Sequence, residues 1–227
     1  MASDGVTTAG FLSRYRESFR STWSDHTPIG DVRFVVLDSE TTGLDPTTDR
    51  IITIGAVAVV AESIELGDAF QALIRISENT PAAAVHGVTR DESRHGVDEP
   101  QALEAFLGYL RDGVIVGHHI GHDVRAFNAT LQRHWGLELS NRSLDTMDLT
   151  LQLERDGAFA GRPPIRGYTL DALCEMFGVV PHGRHTATGD AFITAQIFLR
   201  LLRLAGKCGR TSLQALCEPF VDVEPPG

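Results

Sequence analysis

FVVLDSETTGL, residues 34–44, decides how the rest of the chain is read. Phe34 to Leu37 has the apolar, β-branched character of a buried strand, which ends by presenting Asp38 and Glu40 before a turn at Thr41-Thr42-Gly43. Side chains two apart on a strand share a face, so the two carboxylates project side by side from the edge of a hydrophobic sheet. Two anions that close repel, and burying them without a compensating charge is costly. Either a cation sits between them or both are solvated at a polar turn; the remaining sequence has to choose.

The 227 residues suffice for one domain with a sizeable core, and 42% hydrophobic against 22% charged residues is the balance of a soluble globular protein. A formal charge of -10 argues against a broad basic surface for holding nucleic acid. It leaves room for an enzyme that grips a few phosphates through metal ions, because acidic side chains are then the ligands. Cys174, Cys208 and Cys217 are odd in number and lack paired metal-ligand spacing. They suit reduced structural thiols in a cytosolic protein rather than a disulfide frame or a zinc site. With no apolar signal core at the start and no apolar run long enough to span a bilayer, the expected location is the cytoplasm, with no membrane partner.

Outward from the first strand, IITIGAVAVV at residues 51–60 is the uninterrupted β-branched run of a central strand, and Phe70 to Ile76 fits a third strand closing a meander. Asp98 is expected to cap a helix, with Pro100 in its first turn and Gln101 completing a capping box. Leu103, Phe106, Leu107 and Leu110 form its apolar stripe and Gly113 stops it. Val114 to Val116 reads as a short buried strand. A helix then begins near Gly121 with Val124, Phe127 and Leu131 inward, and Ser143 to Met147 is the last strand, leading into a helix to about Glu154. Residues 155–167, rich in glycine, proline and arginine, form a loop.

Helices resume at Thr169 to Phe177 and from about Thr186 to Leu204. The second is apolar on nearly every side and should be buried. A short helix near Ser212 to Cys217 precedes a proline-rich tail. Ahead of the first strand, Phe11, Leu12, Tyr15, Phe19 and Trp23 recur at near-helical spacing, the pattern of an amphipathic helix packed on the main body. The order β-β-β-α-β-α-β followed by helices predicts an α/β domain with a mixed sheet covered on both sides. Residues 1–30 and 206–227 are expected to extend a domain over 31–205.

Three later segments supply groups able to meet Asp38 and Glu40. GHHIGHD, residues 117–123, carries a buried strand into a helix, with Asp123 in the first turn. Read alone, Asp123 is a helix-capping acid as readily as a ligand. In HTATGD, residues 185–190, His185 and Asp190 are five apart, about 140° around an ideal helix. That spacing places His185 in the preceding loop and Asp190 in the helix's opening turn. An acid entering a buried helix needs a partner, and a metal shared with Asp38 supplies one. In HGVT, residues 86–89, His86 reads as a hydrogen-bonded turn residue. His119, His122 and Asp123 alone would suit zinc, but zinc there leaves the other acids without a role.

Taken together and in order, Asp38-Ser39-Glu40-Thr41-Thr42-Gly43, His118 to Asp123 and His185-x4-Asp190 resemble the three exonuclease motifs of the DEDDh 3′-5′ exonucleases. That group includes the proofreading epsilon subunit of bacterial DNA polymerase III. The resemblance runs from Arg33 to Leu204 and takes in the LDTMDL and VHGVT segments. Three positions depart from the usual pattern: His119 stands for an asparagine, His122 for a phenylalanine and Ser39 for an apolar residue. None removes a metal ligand or the general base.

The resemblance implies a ribonuclease H-like exonuclease fold with a mixed five-stranded sheet flanked by helices. It also implies two divalent ions, Mg2+ or Mn2+, roughly 3.5 to 4 Å apart. Asp38 would bridge them, Glu40 and Asp190 would bind the one that activates water, and Asp123 would hold the other. His185 would be the general base, since an imidazole titrates near neutrality. Thr41, Thr42 and Leu44 would line the 3′-terminal nucleotide, His118 would touch a phosphate, and arginines of the 155–166 loop would guide the strand. The expected reaction is hydrolysis from the 3′ end of single-stranded or frayed DNA to nucleoside 5′-monophosphates, in proofreading or repair. RNA trimming by the same machinery is the enzymatic alternative. A non-catalytic nucleic-acid-binding or polymerase-docking module is the other, opposed by five filled catalytic positions; a polymerase partner rests on the resemblance alone.

Overall fold

The structure is a computed structural model that describes residues 8–43, 45, 48–76, 93–161 and 167–218. Strand β1, Phe34–Thr41, does not stop at Leu37 as its apolar half predicts. It continues through both carboxylates because β2, Ile51–Val60, pairs with it antiparallel throughout, Phe34 opposite Val59 and Glu40 opposite Thr53. Backbone hydrogen bonding, rather than side-chain polarity, sets the strand's end, at a register shift between Glu40 and Thr41. Strand β3, Ser63–Leu73, begins well before Phe70 and pairs antiparallel with β2. Its first half is exposed at the sheet edge, so no hydrophobic alternation marks it.

The sheet is completed by β4, Val114–Gly117, parallel to β1, and β5, Ser143–Asp145, parallel to β4, in the order β3-β2-β1-β4-β5. Its two faces follow the period of two. Val35, Leu37, Ile54 and Ile115 pack against α1 (Thr8–Ser18), α2 (Glu99–Leu110) and α3 (Gly121–Trp135). Phe34, Val36, Val57 and Val116 face the layer formed by α4 (Thr146–Arg155), α5 (Leu170–Phe177), α6 (Ala187–Lys207) and α7 (Leu213–Cys217). Phe198 of α6 meets Phe34 edge-on, ring centroids 5.0 Å apart, and burying an aromatic of this size contributes about 2 kcal/mol.

Several helix ends differ from expectation. Asp98 makes no capping hydrogen bond and its carboxylate instead accepts from Arg75 at 3.0 Å, so the capping box does not form. Helix α2 ends at Leu110 and is capped by Arg111, which takes φ 49 itself, two residues before Gly113. The last strand ends at Asp145 rather than Met147, because the Asp145 side chain accepts from the Met147 N–H at 2.8 Å and starts α4. Phe127 and Leu131 of α3 are buried, whereas Val124 is only partly so.

The chain ahead of β1 is held to the body. Phe11 packs edge-on against Trp135 at 4.8 Å, and the Tyr15 hydroxyl donates to Asn141 at 2.6 Å. Backbone bonds from Ile29 N–H to Thr211 and from Leu213 N–H to Thr27 tie the segment before β1 to the start of α7. Among the described residues, no helix is long and apolar enough to cross a membrane.

Candidate active site

Asp38 and Glu40 continue the Phe34–Val36 alternation and therefore belong to the α6 face of β1. Opposite Asp38 on β2 stands Gly55. A Cβ there would fall 2.4 Å from the backbone of Ala187 and Thr188, so the absent side chain is what lets the first turn of α6 lie on the sheet. Thr186 caps that turn, its hydroxyl accepting from the Gly189 N–H at 3.1 Å and donating to the Gly183 carbonyl at 2.7 Å. The approach brings Asp190 to the strand. Asp38, Glu40 and Asp190 each present a carboxylate oxygen, all within 4.8 Å of one another.

Asp123 reaches the same place from the other layer. Ser39 points away from the α6 face, and its backbone N–H and hydroxyl both donate to Asp123 Oδ1, at 2.9 and 2.6 Å. The hydroxyl that departs from the apolar residue usual in the motif is thus the donor that ties α3 to β1. Asp123 stands outside the three-acid cluster but lines one pocket with Asp38, Glu40, Thr41, Gly43 and Asp49.

The electrostatics are those of a site short of positive charge. Burial, and then the charges of Asp123, Asp190 and Glu40, push the Asp38 carboxyl well above its ordinary range. Burial, followed by Asp190 and Asp123, raises Glu40 to about 7. Burial likewise raises Asp123 to about 6, against the hydrogen bonds from Ser39 that hold it down. Asp190 is 7% exposed, and its Oδ1 is buried without a hydrogen-bond partner. Hard carboxylate oxygens, an orphaned ligand atom and mutual repulsion fit a divalent cation.

Arg184 is the residue that sequence reasoning missed. Its guanidinium donates to Asp190 Oδ2 at 2.5 Å and to Asp171, in the first turn of α5, at 2.7 and 3.3 Å. Adjacency to His185 was its one signal. His185 lies in the loop before α6 as its spacing predicts, exposed, with φ 62, and its backbone N–H donates to Asp190 Oδ2 at 3.2 Å.

Thr41 donates to the Gly43 carbonyl at 2.6 Å, and Thr42 donates to Asp49 at 2.8 Å, closing the turn after β1. Leu44, His86, Arg162 and Arg166 lie outside the described residues. His118 turns toward α4, where Nδ1 meets the Thr146 hydroxyl at 2.9 Å. Burial, reinforced by His119, lowers its pKa to about 4, so the ring is neutral at pH 7. His119 is exposed with φ 57, and His122 lines the pocket. Among the described residues, the metal-capable cluster is Asp38, Glu40 and Asp190; His119, His122 and Asp123 do not form one. Asp145, in the LDTMDL segment, accepts from the backbone N–H groups of His119, Ile120 and Met147 at 3.2, 3.0 and 2.8 Å and so braces two helix starts.

This geometry coincides with a known sequence pattern. The family model of the RNase T exonucleases matches residues 35–198, from β1 through Phe198 of α6. The chain belongs to the RNase T exonuclease family. Among relatives of this chain, the PolC-type DNA polymerase III of Thermotoga maritima is 35% identical over 197 residues, covering 85% of this chain and 14% of that one. A DNA polymerase III subunit epsilon-like protein of Rhodobacter capsulatus is 34% identical over 195 residues, covering 84% and 26%. The epsilon subunit of DNA polymerase III of Aquifex aeolicus is 29% identical over 175 residues, covering 76% of this chain and 81% of that one. The chain thus spans about one seventh of the PolC-type relatives it matches, as the 14% coverage states.

Among solved structures, E. coli exonuclease I in complex with a dT13 oligonucleotide superposes with a TM-score of 0.66 at 18% identity, over 78% of this chain and 42% of that one. A zinc-bound form of the E. coli exonuclease I complex with single-stranded DNA gives 0.64 at 20% identity, over 78% and 42%. The mixed five-stranded sheet flanked by helices is therefore the ribonuclease H-like exonuclease fold.

Proposed function

We propose that this chain is a divalent-metal-dependent 3′-5′ exonuclease that hydrolyses single-stranded or frayed DNA from its 3′ end and releases nucleoside 5′-monophosphates. The observation that carries the reading is the convergence of Asp38, Glu40 and Asp190 within 4.8 Å. Those three side chains would hold Mg2+ or Mn2+, with Asp123 beside them for a second ion. Such ions, when bound, activate a water and neutralise charge on the leaving oxygen.

The chain's own groups do the rest. His185, exposed beside Asp190, is the base that takes a proton from the attacking water. Thr41 and Thr42 seat the 3′-terminal nucleotide beside the pocket, and Leu44 is assigned to the same nucleotide on the resemblance of the motif alone. His118, neutral and turned onto Thr146, is assigned to support of α4 rather than to charge contact with phosphate. The polymerase III relatives support DNA as substrate and a polymerase as partner, and proofreading or repair is the setting that the motif resemblance implies. The E. coli exonuclease I complexes support single strands. Unpaired Cys174, Cys208 and Cys217 suit the reducing cytoplasm. The catalytic unit is assigned to residues 31–205.

The test is a 5′-labelled single-stranded DNA and an RNA of the same sequence, incubated with Mg2+ or Mn2+. The DNA should shorten stepwise from its 3′ end, and EDTA should stop it. A DNA and an RNA left intact with either metal refute the enzyme reading, and faster RNA degradation replaces DNA by RNA.

A further inference from the structure

The two oxygens of Asp190 are treated differently. Oδ2 accepts from Arg184 Nη1 at 2.5 Å and from the His185 N–H at 3.2 Å, whereas Oδ1 is buried with no partner. Arg184 is itself clamped at two points by Asp171, Nε to Oδ1 at 2.7 Å and Nη2 to Oδ2 at 3.3 Å. A forked contact of this kind fixes the plane of a guanidinium, and the fixed plane in turn fixes the rotation of the Asp190 carboxylate. We propose that the Asp171–Arg184 pair is a positioning device for Asp190, saturating Oδ2 so that Oδ1 is the single atom offered to a metal shared with Asp38 and Glu40. The inference rests on the metal-dependent reading above.

A competing role gives the opposite sign. If Arg184 were a stand-in cation that a divalent ion displaces, removing it would tighten metal binding. The geometry favours positioning, because the guanidinium is held from α5 by two bonds to Asp171, and its contact with the cluster is to the oxygen that already has a second donor.

Mn2+ binding to the full chain, followed by the electron paramagnetic resonance of free Mn2+, decides between them, with melting in EDTA measured alongside. R184M should weaken Mn2+ binding about 10- to 100-fold, the usual effect of removing a hydrogen-bond partner from a metal ligand, at a temperature where the metal-free variant is still folded. R184K, which keeps one donor to Asp190, should recover part of the loss. D171N, altering a side chain that is 65% exposed, should weaken binding less and keeps the test open if R184M does not fold. Unchanged affinity in these variants, with or without a lower melting temperature, overturns the inference by making the pair a clasp between α5 and α6. Tighter binding overturns it by making Arg184 the stand-in. No Mn2+ binding by the unsubstituted chain would overturn the metal reading itself, and this inference with it.

Discussion

Gly55 of β2 stands directly opposite Asp38 of β1, and the space its side chain would fill is taken by the Ala187 and Thr188 backbone, 2.4 Å from where a Cβ would sit. The contact sets how near Asp190 comes to Asp38. Gly55→Ala should therefore lift α6 from the sheet, at a cost of about 1 to 3 kcal/mol for overpacking. Urea denaturation should show that loss, and a Mn2+ titration of the folded fraction should show weaker binding. Normal affinity in this variant would mean that α6 has slack to give.

Stability of the metal-free protein should fall as pH rises. Asp38 is raised well above the ordinary carboxylate range, Glu40 to about 7 and Asp123 to about 6, so the folded state binds more protons than the unfolded chain across that window. With more protons on the folded state, stability decreases with pH. It should be greatest below the ordinary carboxylate values and should decline through about pH 6 to 7. Mn2+ binds the ionised set, so its stabilising effect should grow over the same range. Melting temperatures in EDTA and in Mn2+ across the window test both trends, and Asp38→Asn should flatten the metal-free profile. A melting temperature that rises with pH in EDTA would contradict the burial of these acids.

His185 adopts φ 62, a conformation that asparagine tolerates better than alanine does. His185→Asn is therefore the cleaner probe of its role. It should lower kcat by about 100- to 10,000-fold, the usual contribution of a general base, while Mn2+ affinity and DNA binding persist. Parallel loss of turnover and binding would make His185 a substrate-holding residue.

Asp145 accepts three backbone N–H groups at the starts of α3 and α4. Asp145→Ala should destabilise the fold by about 2 kcal/mol, near the upper end for loss of a helix cap, and Asp145→Asn by less, since an amide oxygen still accepts. The denaturant midpoint measures both. An unshifted midpoint in the alanine variant would mean that water replaces the carboxylate there.

Sequence legibility followed the physics of each element. The unbroken apolar run from Phe34 to Leu37 marked a buried strand, and the period of two that any strand has put Asp38 and Glu40 on one face. The spacing of His185 and Asp190 placed one in a loop and the other in a helix, as found. The exposed half of β3 carried no such pattern, and Asp98 looked like a cap but spent its carboxylate on Arg75. Gly55 was hidden inside an apolar run because its role is to be approached, not to contact. Arg184 was hidden because its partners, Asp171 and Asp190, come from two different helices.

Ser39 has a mechanical consequence. Asp38 and Glu40 belong to β1, and the two hydrogen bonds donated by Ser39 fasten Asp123 to that strand as well. Asp190 alone rides on α6, in the opposite layer. Three of the four acids are thus fastened to β1, and the fourth is held there only by the way α6 packs on the sheet. A substitution that displaces α6 would therefore disturb the cluster through a single carboxylate, whereas Asp123 keeps its hold on the strand through Ser39.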